Sequence, residues 1–170
     1  MGAHGLVSKG NFMFDGATKV PLVISYPGHI PAGKRTAKLA SSIDIVPTLL
    51  ELAGIAQPKG MDGISLRQYW DYSFNARNAV FMQIWEAYSY FDPVLAVRTD
   101  RWKYSWRIAG ADELYDMDSD PGETMNLATR RENADTIRGL KGRITNWLKE
   151  TGDIPLSMLT MPNKSFLEDF

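Results

Sequence analysis

The sequence predicts an α/β fold, in which a strand and helix are followed by a small antiparallel sheet and a C-terminal helix. Residues 20–26 form an apolar run bounded by Pro and Gly, which is typical of a buried strand of an α/β sheet. Residues 95–99 and 102–106 alternate with period two around a tight turn, which predicts a hairpin. Apolar residues then recur at helical spacing over residues 133–150.

The first predicted helix covers residues 41–54. Asp44 is its expected N-cap, because a carboxylate there can accept hydrogen bonds from the amides of the first turn. Pro47 falls in that first turn, where a missing N–H costs nothing, and Gly54 supplies a left-handed stop. Asp44 therefore has a structural role, and we do not assign it to catalysis.

The remaining elements follow from turn signals and apolar spacing. We expect a short helix at residues 64–70 with Leu66 and Trp70 inward, strands at 79–85 and 113–117, a turn at 118–123, and a helix ending at Gly152. The acidic turn lacks the spaced oxygen ligands and closing glutamate of a calcium loop. The last stretch, residues 154–170, is expected to be an irregular tail.

Composition excludes several classes of protein. The 170 residues carry a net charge of −1, with 44% hydrophobic and 23% charged residues, which is ordinary for a globular domain. No basic patch indicates nucleic acid, and no apolar run is long enough for a membrane span. The absence of cysteine excludes disulfides and thiolate sites from this chain. No signal peptide is visible, so the compartment (periplasmic, extracellular or cytoplasmic) stays open.

Six short stretches in a fixed order resemble the second half of the sulfatase family. They are HGLVSK at residues 4–9, VPLVISYPG at 20–28, SIDIVPTLLELAGI at 42–55, DGISL at 62–66, VRTDRWKY at 97–104 and ELYDMDSDPGETMNL at 113–127. Each stretch alone could occur by chance. Their shared order over residues 2–150 carries the resemblance.

The resemblance implies an alkaline-phosphatase-like α/β/α sandwich, of which this chain holds the C-terminal part. It divides the chain into residues 1–76 of the catalytic domain, residues 77–153 as a small antiparallel subdomain with its helix, and residues 154–170 as the tail. It also implies hydrolysis of sulfate esters by a formylglycine, which the family makes from Cys or Ser in a Cys/Ser-x-Pro-x-Arg motif. That motif is absent here. We expect it in a missing N-terminal half, together with the ligands of a divalent metal, expected to be calcium.

One functional position carries over from the family, its sulfate-binding lysine, which here is Lys9. A fixed ammonium can neutralise a sulfate oxygen and stabilise charge as the S–O bond breaks. His4 lies in the same loop, where we expect it to brace the loop by a hydrogen bond or to contact substrate. Glu86, Tyr88 and Tyr90 follow the first strand of the small sheet and are candidates for contacting a sugar or aryl leaving group.

Three readings compete. The favoured one is the C-terminal portion of a sulfatase, acting on a small-molecule or carbohydrate sulfate ester. A phosphonate monoester or phosphodiester hydrolase of the same superfamily would use the same lysine. The third is a truncated, inactive remnant. Because the chain opens inside a loop, we expect truncation, and we expect the 170 residues alone to be inactive and aggregation-prone.

Overall fold

The computed structural model describes residues 3–5, 11–71, 77–85, 93–108 and 110–152. Its helices are α1 (Asp15–Thr18), α2 (Ile45–Leu52), α3 (Gln68–Asp71) and α4 (Ala134–Thr151). Its strands are β1 (Val80–Ile84), β2 (Val94–Arg98), β3 (Trp102–Arg107) and β4 (Glu113–Asp116). The 3-10 turns are Ala3–Gly5, Ser42–Asp44 and Arg131–Asn133. The chain divides into two compact units, residues 20–80 and residues 1–19 with 81–170.

The four strands form one sheet in the order β1-β2-β3-β4. Strands β2 and β3 pair antiparallel with Val97 opposite Tyr104, and β3 pairs antiparallel with β4 with Tyr104 opposite Leu114. The predicted hairpin and the strand at residues 113–117 are therefore confirmed. Because directly opposite residues share a face, Leu95, Val97, Tyr104 and Leu114 lie on one side of this sheet.

Helix α4 contacts β2 and β3 and buries one stripe of side chains, Leu140, Ile144 and Leu148. The stripe has the i, i+4, i+8 spacing that puts residues on one helix face. The helix ends where Gly152 adopts φ 66° and donates its N–H to the Leu148 carbonyl at 3.1 Å. The predicted amphipathic helix and its glycine stop are confirmed.

In the unit of residues 20–80, the helix predicted at residues 41–54 is confirmed as the Ser42–Asp44 turn followed by α2, and Gly54 has φ 70°. The role of Asp44 differs in detail from the N-cap prediction. Asp44 closes the preceding 3-10 turn, and its carboxylate accepts from the backbone N–H of Ser41 at 2.8 Å and of Ile64 at 2.9 Å. The carboxylate therefore ties the start of the helix to a distant loop.

The same unit contains the short helix predicted at residues 64–70, found as α3. Leu66 and Trp70 are buried, as predicted. Leu66 is fixed by its backbone N–H, which donates to the Thr48 hydroxyl at 2.8 Å. Among the described residues, no helix is both long enough and apolar enough to cross a membrane.

The strand predicted at residues 20–26 is wrong for this structure. The segment forms no strand, and Val20 and Val23 are 74% and 88% exposed. A strand needs a neighbour for its backbone groups, and the four described strands pair with one another in the β1–β4 sheet. The apolar pattern of residues 20–26 therefore marks a surface with no partner strand among the described residues.

Candidate functional site

Four of the five site residues predicted from the sequence lie outside the described residues: Lys9, Glu86, Tyr88 and Tyr90. Their roles stay predictions. His4 is described, and so is the segment that follows Lys9 along the chain, residues 11–19, which we call the N-terminal segment. The candidate site is therefore built from His4, the N-terminal segment and the sheet face against which that segment packs.

His4 is exposed and has φ 56°, in the left-handed region that non-glycine residues rarely adopt. Its ring stacks on Phe14, with centroids 3.8 Å apart and planes 6° from parallel. Phe14 in turn belongs to a buried cluster with Tyr115 and Met117. The bracing contact that the structure shows for His4 is this ring stacking, and its predicted contact with substrate stays a prediction.

Alternate residues of the N-terminal segment are anchored on one face of the sheet. The Arg107 guanidinium donates to the Asn11 carbonyl at 2.8 and 3.1 Å. Met13 is buried against Val94 and Ala96 of β2. Arg107, Val94 and Ala96 share one face of the sheet. Leu95 and Val97 lie on the other face, because side chains alternate along a strand. The sheet is thus covered by the N-terminal segment on one face.

A buried group of three charges continues this row of anchors. The Lys103 ammonium lies 2.8 Å from an Asp15 carboxylate oxygen and 2.7 Å from a Glu123 carboxylate oxygen. The other Glu123 oxygen accepts the backbone N–H of Asp15 at 2.6 Å. Lys103 and Glu123 are 1% and 3% exposed, whereas the Asp15 side chain is 25% exposed. We call Lys103, Asp15 and Glu123 the ion triad.

Glu123 reaches the triad from a loop with a strained backbone. Its φ is 56°, a conformation that costs a non-glycine residue on the order of 1 kcal/mol or more. Asp120 holds this loop, because its carboxylate accepts from the Thr124 N–H at 3.0 Å and the Met125 N–H at 2.8 Å. The hydrogen bonds from Thr124 and Met125 lower the pKa of Asp120. The turn predicted at residues 118–123 is confirmed, and its last residue is the Glu123 that contacts Lys103.

The charges of the triad do not cancel, since one ammonium faces two carboxylates. Burial raises the pKa of Asp15, but the hydrogen bond and charge of Lys103, with the charges of Lys19 and Arg98, outweigh burial and lower it overall. The pKa of the nearby Glu113 is shifted in the opposite direction, because burial of this carboxyl raises its pKa. The triad is therefore arranged to keep Asp15 ionised.

We expect Asp15 to make the stability of the unit formed by residues 1–19 and 81–170 depend on pH. Because its folded-state pKa lies below the ordinary value of 3.8, its contribution is present above that value and is lost as the pH falls through the folded-state pKa. We expect the stability difference between the wild type and Asp15→Asn to be constant above pH 5 and to shrink below pH 4. Chemical denaturation at several pH values measures it; a difference that grows in acid would contradict the lowered pKa.

Sequence reasoning named Lys103 and Glu123 only as parts of motifs and did not single out Asp15. Because side chains alternate along β3, Lys103 and Ser105 lie on one face of the sheet and Tyr104 on the other. A small antiparallel sheet normally exposes one of its faces to water, and the lysine predicts that this is the exposed one. In the structure all three are buried, at 1%, 2% and 0% exposed. The available signal was the lysine inside a strand of aromatic residues, but its partners lie 88 and 20 positions away along the chain.

The described residues contain no group of three or more His, Asp or Glu side chains that could hold a metal ion. The carboxylates of the ion triad are already engaged by Lys103 and the Asp15 N–H. The resemblance places the ligands of the divalent metal on the preceding portion of the protein, so the metal stays a prediction, and we assign no chemical step to a metal in the described residues.

Comparison with known proteins gives a consistent result. Residues 2–150 match the family model described as N-sulphoglucosamine sulphohydrolase, C-terminal. The chain is 35% identical over 131 residues to the choline-sulfatase of Rhizobium meliloti, covering 75% of this chain and 25% of that protein. It is 36% identical over 134 residues to the Delta 4,5-hexuronate-2-O-sulfatase of Bacteroides thetaiotaomicron, covering 75% and 28%.

A solved structure of a protein in complex with its substrate D-glucosamine-2-N,6-O-disulfate superposes with a TM-score of 0.70 at 27% identity. The match covers 84% of this chain and 30% of that one. Together with the four-stranded sheet and α4, this likeness confirms the predicted fold class, the C-terminal part of an alkaline-phosphatase-like α/β sandwich followed by a small antiparallel sheet. The chain spans about a quarter of the length of the curated relatives it matches.

Proposed function

The chain belongs to the sulfatase family, whose C-terminal model it matches over residues 2–150, and from this premise we propose that it supplies the sulfate-binding lysine, Lys9, of an enzyme that hydrolyses carbohydrate sulfate esters. The observation that carries the proposal is the similarity at 35% and 36% identity to two proteins named as sulfatases. The sugar disulfate bound in a related structure, and a relative named for a hexuronate, support a carbohydrate substrate.

The role of Lys9 follows from the charge of the substrate. A sulfate ester carries a negative charge on its non-bridging oxygens, and charge builds on the leaving oxygen as the S–O bond breaks. A preorganised ammonium stabilises both and is worth on the order of 3 kcal/mol in the transition state. The formylglycine and the divalent metal, which we place on the preceding portion of the protein, would supply the nucleophile and further charge stabilisation.

The preceding portion of the catalytic domain is the proposed partner of the residue 20–80 unit. Among the described residues, nine of the ten exposed large apolar side chains lie in this unit, including Val20, Val23, Ile45, Val46 and Leu49. Helix α2 buries Pro47 and Thr48 and exposes apolar side chains. A helix that faces water normally exposes polar side chains and buries its apolar ones. An apolar surface of this kind marks an interaction site. Since the chain covers only 25% and 28% of its curated relatives, their remaining length provides the occupant.

We expect the 170 residues alone to self-associate and to hydrolyse no aryl sulfate. Replacing Val46 and Leu49 by Lys should reduce self-association, because both side chains are more than half exposed. Sedimentation velocity and an aryl sulfatase assay measure the two properties. The equally exposed Met125, in the other unit, gives a matched control as Met125→Lys. Soluble, monomeric wild-type material that hydrolyses an aryl sulfate would contradict this proposal.

Substrate choice is the proposed role of Glu86, Tyr88 and Tyr90. Aromatic faces bind sugar rings and aryl groups, and the three residues lie between β1 and β2 along the chain. In the complete enzyme, replacing Glu86, Tyr88 or Tyr90 by Ala should change the ratio of kcat/KM between two sulfated sugars. A ratio equal to that of the wild type for all three residues would remove them from the substrate site.

The coding sequence upstream of Met1 tests the proposal directly. We expect an in-frame Asp-Asn or Asp-His pair within about ten residues and a Cys/Ser-x-Pro-x-Arg motif further back. A stop codon or unrelated sequence would instead favour the inactive remnant. The alternative function, a phosphonate monoester or phosphodiester hydrolase, would use the same Lys9. Because the two functions differ in substrate, comparing the hydrolysis of a sulfate ester with that of a phosphonate monoester distinguishes them.

A further inference from the structure

We propose that Lys103 and Glu123 are positioning residues, which fix the N-terminal segment on the sheet and thereby set the position of Asn11. The inference rests on the proposed function in one respect only, the assignment of Lys9 to sulfate. Neither residue is proposed to touch substrate. Their effect on the reaction passes through the backbone of residues 11–15.

Three anchors of this segment lie two residues apart, and Phe14 between two of them packs with Tyr115 and Met117. Asn11 is held by Arg107, Met13 by Val94 and Ala96, and Asp15 by the ion triad. The apolar contact of Met13 is non-directional and tolerates sliding. The ion triad is directional, because the Asp15 N–H and the Asp15 carboxylate are bound at the same time, by Glu123 at 2.6 Å and by Lys103 at 2.8 Å.

Stability alone does not account for burying the charges of Lys103 and Glu123 beside the partly exposed Asp15. Apolar residues of similar volume are often as stabilising as a buried ion pair, or more so. Apolar side chains in place of the ion triad would allow the segment to shift along the sheet. The directional contacts of the triad fix the register of the segment instead. The strained backbone at Glu123, with φ 56°, is a further cost that places one carboxylate at this position.

Lys9 precedes Asn11 by two positions, so a shift of Asn11 is passed to it through only two peptide units. A misplacement of about 1 Å at a reacting group can cost about 100-fold in rate. Loss of the triad should therefore affect sulfate chemistry without removing any group that contacts sulfate.

Amide hydrogen exchange and NMR test the positioning in the chain joined to its preceding portion, because the 170 residues alone are expected to self-associate. In Lys103→Met and Glu123→Gln we expect amides of residues 13–18 to exchange at least tenfold faster, with β2 and β3 amides unchanged. The Asp15 amide proton should move upfield in Glu123→Gln. If Lys103→Met does not fold, Asp15→Asn replaces it, since that side chain is 25% exposed. Arg101→Ala, which removes the Arg101–Asp116 ion pair from the same sheet, is the control and should change neither quantity.

In the chain joined to its preceding portion, a folded Lys103→Met should lower kcat/KM for an aryl sulfate at least tenfold, whereas Arg101→Ala should not. Unchanged exchange in both Glu123→Gln and Asp15→Asn, or wild-type kcat/KM in a folded Lys103→Met, would overturn the inference. If the joined wild type hydrolyses no sulfate ester, the proposed function fails, and the exchange and chemical shifts alone decide the positioning.

Discussion

Replacing Asp44 by Ala is expected to lower the free energy of unfolding of the residue 20–80 unit by about 3–5 kcal/mol. Asp44 is fully buried, and its two oxygens are bound by the Arg77 guanidinium, whose side chain is 15% exposed. They also accept the backbone N–H groups of Ser41 and Ile64. The substitution leaves a guanidinium without its carboxylate and two amides without an acceptor, and each loss is costly in a buried site.

Asp71→Ala is the matched control in the same unit. Asp71 pairs with Arg67 at 2.5 Å, but both side chains are more than a third exposed, so the expected loss is below about 1 kcal/mol. Urea denaturation followed by the indole NMR signal of Trp70, one of five tryptophans in the chain, compares the two variants. Equal losses of stability in Asp44→Ala and Asp71→Ala would contradict the role assigned to Asp44.

Replacing Lys9 by Ala in the complete enzyme is expected to lower kcat for a sulfate ester by about 100- to 1,000-fold, the usual result of removing one preorganised charge-stabilising donor. If the interaction is made mainly in the transition state, kcat and kcat/KM fall together; if it binds the ground state equally, KM rises instead.

Lys38→Ala is the control for net charge, because Lys38 is an exposed lysine of the same chain. It should leave both constants unchanged. Steady-state kinetics with an aryl sulfate measure both variants. Wild-type kcat/KM in Lys9→Ala would show that Lys9 does not bind the reacting sulfate.

Local patterns were sufficient where an element is completed by its near neighbours in the chain. The β2–β3 hairpin closes around Asp100 and Arg101, and α4 ends at a glycine that the sequence displays. Such signals lie within a few residues of the structure they specify. The fold class followed from these elements together with the ordered motifs of the family.

Residues 20–26 show where a local pattern misleads. Their apolar run predicts a buried strand, but a strand forms only when another offers its backbone groups, and the described strands pair elsewhere. The run is exposed among the described residues, and its covering by the preceding portion of the protein stays a proposal.

The ion triad was beyond local reasoning for a different reason. Lys103 and Asp15 are separated by 88 positions, and a lysine in a strand is normally solvated. Nothing in one sequence shows that the N-terminal segment would cover that face of the sheet. Asp44 illustrates the same limit, because its place at a helix start was visible while its pairing with Arg77, 33 positions away, was not.

The most direct measurement joins this chain to the coding sequence that precedes it and compares hydrolysis of a sulfate ester with hydrolysis of a phosphonate monoester. We predict a higher kcat/KM for the sulfate ester and its loss in Lys9→Ala. A higher kcat/KM for the phosphonate monoester, or no hydrolysis of either substrate by a folded protein, would contradict the assignment of this chain to a working sulfatase.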